Sequence, residues 1–222
     1  MIVTGTVLHM PTERHTVVGL PATEPAPERR HAPTRVSDDV LLDATRTCVL
    51  AAGVRRTTLA EIARTAKVSR MTLYRRFPDV RSILAALMTR EFGALLQKAN
   101  LLAATESTGR ARLVRCSVES VKALANDPLM RTVLDVDAEL LLPYIVERLG
   151  GTQLLAEQVI AALLAAGHED GSIRRGDGAA QVRSVLLVVQ SFVLSLRPAT
   201  SDVAEDALLA EFSHLLDAAL RA

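Results

Sequence analysis

Apolar and polar positions alternate with helical periodicity along most of the chain after residue 36. The first segment begins at Ser37, whose hydroxyl suits an N-cap, and ends at Gly53, where glycine commonly terminates a helix. A longer pattern follows Asp79 and places large apolar residues on one face, namely Ile83, Leu84, Leu87, Met88, Phe92, Leu95 and Leu96. No segment shows the strict alternation of a strand. The pattern predicts an all-α protein.

The second half of the chain predicts helices throughout. Four of them cover residues 128–136, 142–149, 152–166 and 182–196, and a last apolar stripe begins at Leu208. Segment 182–196 is apolar nearly all round, so we expect neighbours to cover it on more than one side. No apolar run reaches the roughly 18 residues of a membrane span, and the first residues lack the pattern of a secretion signal. We therefore expect a soluble, cytoplasmic protein without a membrane partner.

Between residues 57 and 77, two short helical patterns are separated by three residues. Thr58 and Glu61 have the spacing of a capping box, which predicts a helix from Thr58 to about Ala66. Ser69 offers a second N-cap for a short helix over residues 70–76. Small and aliphatic residues stand where two such helices would cross, namely Ile62, Ala63, Ala66, Val68 and Leu73. This arrangement is typical of a helix-turn-helix.

Charge is distributed unevenly. The whole chain carries a formal charge of +1, but residues 54–81 hold eight basic and two acidic residues, a local charge of +6. The remainder of the chain must therefore be acidic, at −5. A basic patch on an otherwise acidic chain indicates a polyanion as partner. Together with the helix-turn-helix pattern, it predicts binding to double-stranded DNA.

The second short helix would expose Arg70, Met71, Thr72 and Arg75 opposite its core residue Leu73. An arginine can bind guanine O6 and N7 in a major groove, and threonine or methionine can contact a thymine methyl. Thr58, Tyr74 and flanking basic residues such as Lys67 would bind phosphates, which sets the register of the protein on DNA.

The segment TTLAEIARTAKVSRMTLYRRFPDVRSIL, residues 57–84, resembles the DNA-binding domain of the tetracycline-repressor (TetR) family of transcriptional regulators. The elements T-x-x-x-I-A, A-x-V-S and T-L-Y-x-x-F occur in the family's order and spacing, and the resemblance covers residues 41–88. It implies that a homodimer binds a palindromic operator. It also implies that a larger helical domain binds a small-molecule effector that changes operator affinity. Among the candidate contacts, it supports Thr58, Ser69, Arg70, Met71, Thr72 and Tyr74.

Two positions depart from the family pattern. Lys67 stands in the turn where the family usually has glycine, and a left-handed lysine there costs about 1 kcal/mol of strain. Val80 stands where the family usually has a basic residue, and Arg81 is the neighbouring candidate for that phosphate contact.

These observations predict three parts: a disordered N-terminal arm (1–36), a three-helix DNA-binding domain (37–83) and a larger helical domain for ligand binding and dimerisation (84–222). Candidate pocket residues are Met130, Leu134, Tyr144, Val159 and Leu163. The scarcity of aromatic residues favours an apolar ligand. Candidate interface residues in the last two helices are Val189, Phe192, Leu208, Phe212, Leu215 and Leu216.

The sequence predicts no cofactor, metal site or enzymatic activity. Cys48 and Cys116 lie in amphipathic patterns without a CxxC partner, which is typical of small core residues. His168, Glu169 and Asp170 are consecutive in a predicted loop, so their side chains diverge too much for a metal site. No catalytic motif is present. We expect a repressor; a small-molecule carrier with a vestigial DNA domain and a ligand-independent architectural DNA-binding protein are the alternatives.

Overall fold

The computed structural model describes residues 37–136, 138–141, 143 and 147–222, and these belong to one compact unit. The helices are α1 (Asp38–Ala52), α2 (Leu59–Thr65), α3 (Arg70–Tyr74), α4 (Val80–Ala103), α5 (Gly109–Asn126), α6 (Pro128–Val136), a 3-10 helix (Ala138–Leu141), α7 (Gly151–Glu169), α8 (Gly178–Ala199) and α9 (Glu205–Leu220). Within these ranges the only extended pairing is an isolated bridge between Ile173 and Arg221. The all-α prediction is confirmed. The predicted arm lies outside the described residues.

Local chemistry explains the helix ends near the N-terminus. Ser37 stands at the N-cap of α1, although its hydroxyl makes no capping hydrogen bond there. Gly53 ends α1 with a φ of 82°, a conformation that glycine adopts without strain. Asp79 caps α4, because its carboxylate accepts the Ser82 N–H at 2.7 Å. These three predicted boundaries are confirmed.

The first three helices pack around the beginning of α4. α1 contacts α2 and α4, and α2 contacts α3. Fully buried side chains come from all four helices, namely Leu41, Val49, Ile62, Leu73, Ile83 and Leu87. Cys48 lies in the same core. The short helices are therefore held by tertiary packing, since isolated helices of this length are unstable in water.

The larger part of the fold is built around α5. This helix contacts α4, α6, α7, α8 and α9. One apolar cluster joins α5, α7, α8 and α9 through residues such as Leu113, Ile160, Val185 and Leu220. A smaller cluster lies between α4 and α5 and contains Leu96, Ala99, Ala103 and Cys116. Both cysteines are thus buried and free, as the sequence predicted.

α5 and α7 approach closely where two glycines meet. A Cβ atom on Gly109 would lie 2.2 Å from the backbone nitrogen of Gly167. Beside this crossing, the Asp170 carboxylate accepts the Gly109 N–H at 2.6 Å and the Ser172 N–H at 2.8 Å. The hydrogen bonds from Ser172 and Gly109 hold the pKa of Asp170 below its usual range. The loop after α7 thus caps the start of α5.

Three sequence expectations need correction in the C-terminal helices. α7 continues through His168 to Glu169, so these residues end a helix and do not lie in a loop. Of the predicted helix over 142–149, residues 142 and 144–146 lie outside the described residues; Pro143 is helical, and residues 147–149 are not. α8 has 22 residues and, by length and composition alone, is apolar enough to cross a membrane, a property that core helices of soluble proteins share.

The predicted boundary at residue 83 falls within a continuous helix. α4 runs from Val80 to Ala103, contacting α1 near its start and α5 and α7 beyond. The division into domains 37–83 and 84–222 stays a prediction. α4 is the covalent link between the DNA-binding helices and the C-terminal helices.

Candidate nucleic-acid interface

The turn between α2 and α3 closes with two backbone hydrogen bonds. The Val68 N–H donates to the Ala63 carbonyl at 3.0 Å, and the Lys67 N–H donates to the Arg64 carbonyl at 3.1 Å. This pattern is a Schellman motif, whose C′ position is left-handed and usually glycine. Lys67 occupies that position with a φ of 55°. The left-handed turn expected at Lys67 is therefore present, together with its strain.

α3 is anchored on one side and exposed on the other. Leu73 is fully buried in the core cluster that also contains Ile62, whereas Arg70, Met71, Tyr74 and Arg75 are exposed. The Met71 side chain is 77% exposed, which is unusual for a large apolar residue. Of the predicted base-contacting residues, Arg70 and Met71 are exposed on α3, Thr72 is half-buried on it, and Arg75 is exposed directly after its last residue.

Ser69 and Thr72 are coupled at the start of α3. The Ser69 hydroxyl accepts the Thr72 N–H at 3.1 Å, which confirms the predicted cap. The hydroxyl oxygens of Ser69 and Thr72 are also 2.8 Å apart. Because Thr72 already has this hydroxyl partner, its methyl group is the chemically free part of the side chain.

The cap of α2 forms only in part. The Thr58 hydroxyl accepts the Glu61 N–H at 3.2 Å. Glu61 does not complete the predicted capping box; its carboxylate instead accepts a hydrogen bond from Arg64 at 3.3 Å. Thr58 remains exposed at the helix N-terminus, where backbone N–H groups suit a phosphate.

The basic cluster divides into paired and unpaired side chains. Arg55 pairs with Glu139, Arg64 with Glu61 and Arg76 with Asp38, while the Arg56 Nε donates to the Ala52 carbonyl at 2.7 Å. Within the described part of the chain, the others have no ion pair; these are Lys67, Arg70, Arg75 and Arg81. The net charge of residues 54–81 alone does not show which basic side chains are paired within the protein. Arg76, predicted as part of the recognition helix, lies beyond its end and is paired.

A shallow depression of about 600 Å³ lies between α2 and the start of α3. Thr58, Glu61, Arg64 and Arg70 contribute to its lining. The depression joins a candidate phosphate contact to a candidate base contact, so both residues face the same side of the molecule.

The described candidates for the ligand pocket pack against two different apolar clusters. Met130 is buried and Leu134 packs against the core that α6 shares with the DNA-binding helices. Val159 and Leu163 pack instead against the cluster of Leu96 and Cys116. Tyr144 lies outside the described residues. The pocket lined by these residues stays a prediction, because apolar spacing does not distinguish separate cores from a shared pocket.

A different concavity, of about 670 Å³, lies on the surface between α5 and α9. Val114, Val118 and Leu209 contribute apolar surface to it, and Arg115, Glu119, Lys122 and Asp206 contribute charge. Met130, Leu134, Val159 and Leu163, the described candidates for the pocket, do not line this groove.

The predicted interface residues fall into two groups. Leu215 is 58% exposed, and Val189, Phe192 and Leu208 are partly exposed. Phe212 and Leu216 are buried in the protomer, with the Phe212 ring stacked on Phe192 at 4.2 Å between centroids. The structure corrects these last two, which form core and not free surface. Leu187, on α8 and 55% exposed, was missed because the helix is apolar nearly all round.

The buried α2–α3 crossing and the exposed basic side of α3 define a helix-turn-helix DNA-binding protein. Residues 41–87 match the family described as bacterial regulatory proteins, tetR family. A relative described as the uncharacterized HTH-type transcriptional regulator Mb2274c of Mycobacterium bovis is 39% identical over 177 residues, covering 80% of this chain and 90% of the relative. The chain therefore belongs to the tetR family and is a DNA-binding transcriptional regulator.

Solved structures have the same fold. The transcriptional regulator FadR from Bacillus subtilis, in complex with stearoyl-CoA, matches with a TM-score of 0.60 and 16% identity over 83% of this chain and 100% of that chain. The repressor QsdR from R. erythropolis, of the TetR family, matches with a TM-score of 0.63 and 14% identity over 86% of this chain and 98% of that chain. At these identities the likeness concerns the fold alone.

Proposed function

We propose that the protein is a homodimeric, ligand-responsive repressor whose α3 helices read the two halves of a palindromic operator. The observation that carries this proposal is the division of the basic cluster. Within the basic cluster, Arg55, Arg56, Arg64 and Arg76 have partners in the protomer, whereas Lys67, Arg70, Arg75 and Arg81 have no ion pair among the described residues. Four exposed cations without an ion pair between residues 67 and 81 favour a polyanion.

Two classes of contact follow from the geometry. Arg70, Met71, Thr72 and Arg75 would reach base edges, with Arg70 binding a guanine and the Thr72 methyl contacting a thymine. Phosphates would be bound by the remaining candidates, namely Thr58, Lys67, Ser69, Tyr74 and Arg81. Base contacts determine sequence preference, whereas phosphate contacts determine affinity and its salt dependence.

Dimerisation would use the exposed apolar sides of α8 and α9. Leu187 and Leu215 are large, apolar and more than half exposed, and partly exposed Val189, Phe192 and Leu208 lie on the same two helices. Pairing two copies through α8 and α9 gives a four-helix bundle that removes this surface from water. Two α3 helices would then meet half-sites about 34 Å apart, or a multiple of that distance, on one side of B-DNA.

The C-terminal helices would bind a small apolar effector. The stearoyl-CoA complex of FadR supports a ligand with an acyl chain, since that protein has the same fold. The chain has no tryptophan and few other aromatic residues, which favours aliphatic walls for the site. Effector binding would change operator affinity through α4, by a coupling free energy of about 1–3 kcal/mol. The description of QsdR as a repressor supports repression as the mode of action.

We further propose a cytoplasmic location and no catalytic activity. The cytoplasmic location follows from the proposed function, because the protein must reach chromosomal DNA. For the second, the described residues contain no group of three or more His, Cys, Asp or Glu side chains suited to a metal ion.

Selection of genomic DNA fragments with the purified protein, at two salt concentrations, tests the proposal. A shared palindrome that is retained at the higher salt would support a sequence-specific dimer. Random fragments that are lost at the higher salt would favour the architectural protein. Failure to retain DNA at either salt would favour the carrier with a vestigial DNA domain.

A further inference from the structure

Arg90, near the middle of α4, binds two successive turns of α1. Its Nη1 donates to the carbonyl and to the carboxylate of Asp39, both at 3.3 Å, and its Nη2 donates to the Asp43 carboxylate at 2.7 Å. Asp39 and Asp43 are four residues apart and therefore lie on the same side of α1. One guanidinium thus spans a full turn of the neighbouring helix.

The next residue of α4 extends this contact by another turn. The Glu91 carboxylate accepts from Arg90, with Nη2 at 2.7 Å and Nε at 3.0 Å, and its other oxygen accepts from the Arg46 Nε at 3.1 Å. Arg46 follows Asp43 by three residues on α1, so Asp39, Asp43 and Arg46 form one stripe. The stripe covers about 10 Å of α1 at 1.5 Å per residue. We call these five side chains the α1–α4 ion network.

The central pair of this network is shielded from solvent. The side chains of Arg90 and Glu91 are 26% and 21% exposed. Burial lowers the pKa of Arg90, but hydrogen bonds to Glu91, Asp43 and Asp39 outweigh that effect and the pKa is raised. Arg90 is therefore charged at every pH at which the protein is folded.

An ion network restrains α1 differently from the apolar core beneath it. Apolar contact is non-directional, so side chains such as Leu42 and Leu87 resist separation of the helices more than sliding or rotation. A guanidinium has donors in a rigid plane, and its hydrogen bonds are lost when the acceptors move out of position. The network therefore determines the register and angle of α1 on α4.

A chain of contacts joins the network to α3. Asp38, at the start of α1, pairs with Arg76 directly after α3. Arg90 lies ten residues beyond the start of α4, which corresponds to about 15 Å along the helix. A rotation of α4 by about 13° about Arg90 would displace the start of α4, which follows α3 in the chain, by about 3.4 Å, the rise of one base pair. Small changes of the α1–α4 angle are therefore comparable to one step along DNA.

We propose that Arg90 is a residue that determines half-site spacing: by fixing α1 on α4, it sets the distance between the two recognition helices of the dimer. This inference rests on the proposed function. It assigns to Arg90 no contact with DNA. The α1–α4 ion network excludes orientations of the DNA-binding helices α1–α3 that would suit operators with a longer or shorter spacer.

The test compares operators that have identical half-sites but different spacers. The operator selected by the wild-type protein is prepared with its spacer unchanged, lengthened by one base pair and shortened by one base pair. The dissociation constant is measured for each, and the discrimination is the ratio between an altered and the unaltered spacer. Arg90→Gln is compared with wild type and with Arg183→Gln, which removes an ion pair to Glu157 at 2.6 Å between α7 and α8.

We expect Arg90→Gln to reduce the discrimination between spacers at least about fivefold. Mutations of residues that couple two parts of a protein change equilibrium constants by about this factor. Arg90→Lys keeps the charge but not the planar fork, so it should lie between Arg90→Gln and wild type. Arg183→Gln should discriminate as the wild type does. A Gln substitution that merely weakened the fold would lower affinity for all three operators alike and leave the ratio unchanged.

Two results would overturn the proposal. One is wild-type discrimination in Arg90→Gln; the other is an equal loss in Arg183→Gln. Should Arg90→Gln fail to fold, Asp43→Asn is measured instead, because the Asp43 side chain is largely exposed and its loss leaves the core intact. A wild-type protein that selects no palindrome would refute the proposed function, whereas discrimination that survives in these variants would refute the role of Arg90 alone.

Discussion

The backbone N–H of Val68 donates to the carbonyl of Ala63 at 3.0 Å, and this bond closes the turn between the two helices of the DNA-binding motif. The closure requires a left-handed residue before Val68, and that residue is Lys67. A lysine with a positive φ is strained, and strained backbone positions cluster at functional sites. The exposed ammonium beside the start of α3 suits a phosphate.

Replacing Lys67 should separate strain from charge. Lys67→Gly relieves about 1 kcal/mol of left-handed strain but increases the entropy of the unfolded chain, leaving a gain of up to about 0.5 kcal/mol in the free energy of unfolding. Lys67→Ala keeps the strain and removes the charge, so its stability should match wild type. Urea denaturation measures both. Equal stability of the two variants would contradict the strain assigned to Lys67.

The same two variants should bind DNA alike. Both lose one cation, so the slope of log affinity against log salt should fall by about 0.9 in each, without a change of sequence preference. Lys98→Ala, an exposed lysine in the C-terminal half of α4, is the control and should keep the wild-type slope. DNA affinity is measured at several salt concentrations. Identical slopes for the Lys67 and Lys98 variants would count against a phosphate contact of Lys67.

Leu215 should be required for dimerisation. Leu215→Glu places a charge in the proposed α8–α9 interface, where no partner for it is expected, and should yield monomers at micromolar concentration. Leu101→Glu is the matched control, because Leu101 is even more exposed but lies at the end of α4. Sedimentation velocity distinguishes the two species. A dimer of Leu215→Glu, or a monomer of Leu101→Glu, would place the interface elsewhere.

Asp170 should make stability depend on acidic pH. Its pKa is lowered in the folded state by hydrogen bonds from Ser172 and Gly109, so the unfolded chain binds a proton more readily. The contribution of Asp170 is therefore fully present above the unfolded pKa of about 3.9 and is lost as the pH falls through the folded value. Asp170→Asn should abolish this component, whereas Asp202→Asn, in an exposed loop, should retain it. Denaturation curves from neutral to acidic pH give the free energy of unfolding at each pH. The same pH dependence in Asp170→Asn as in wild type would refute this role of Asp170.

Local features of the fold could be predicted because their causes lie within a few residues. The caps at Ser69 and Asp79 each use a side chain and an N–H three residues later, so the sequence spacing alone indicates them. The left-handed position of Lys67 followed from the motif to which the turn belongs. The order and type of the helices followed from apolar periodicity over long segments.

Features that depend on distant residues could not be predicted. The basic residues of the motif look equivalent in sequence, but Arg76 is paired with Asp38, 38 positions earlier. Phe212 and Leu215 lie in one apolar stripe, yet one is core and the other surface. Met130 and Val159 both have helical apolar spacing and belong to different cores. In each case the decisive information is which element packs against which.

The central claim is that α3 reads base edges through Arg70, and a double-mutant cycle tests it most directly. Each guanine of the selected half-site is replaced in turn, and the loss of affinity is measured for wild type and for Arg70→Ala. Replacing one of the guanines should weaken binding of the wild type by about 1–3 kcal/mol. The same replacement should hardly change binding of Arg70→Ala, because that variant already lacks the contact. Arg64→Ala, which removes an exposed arginine paired within α2, should lose as much as wild type. Equal losses for wild type and Arg70→Ala at every guanine would contradict the claim.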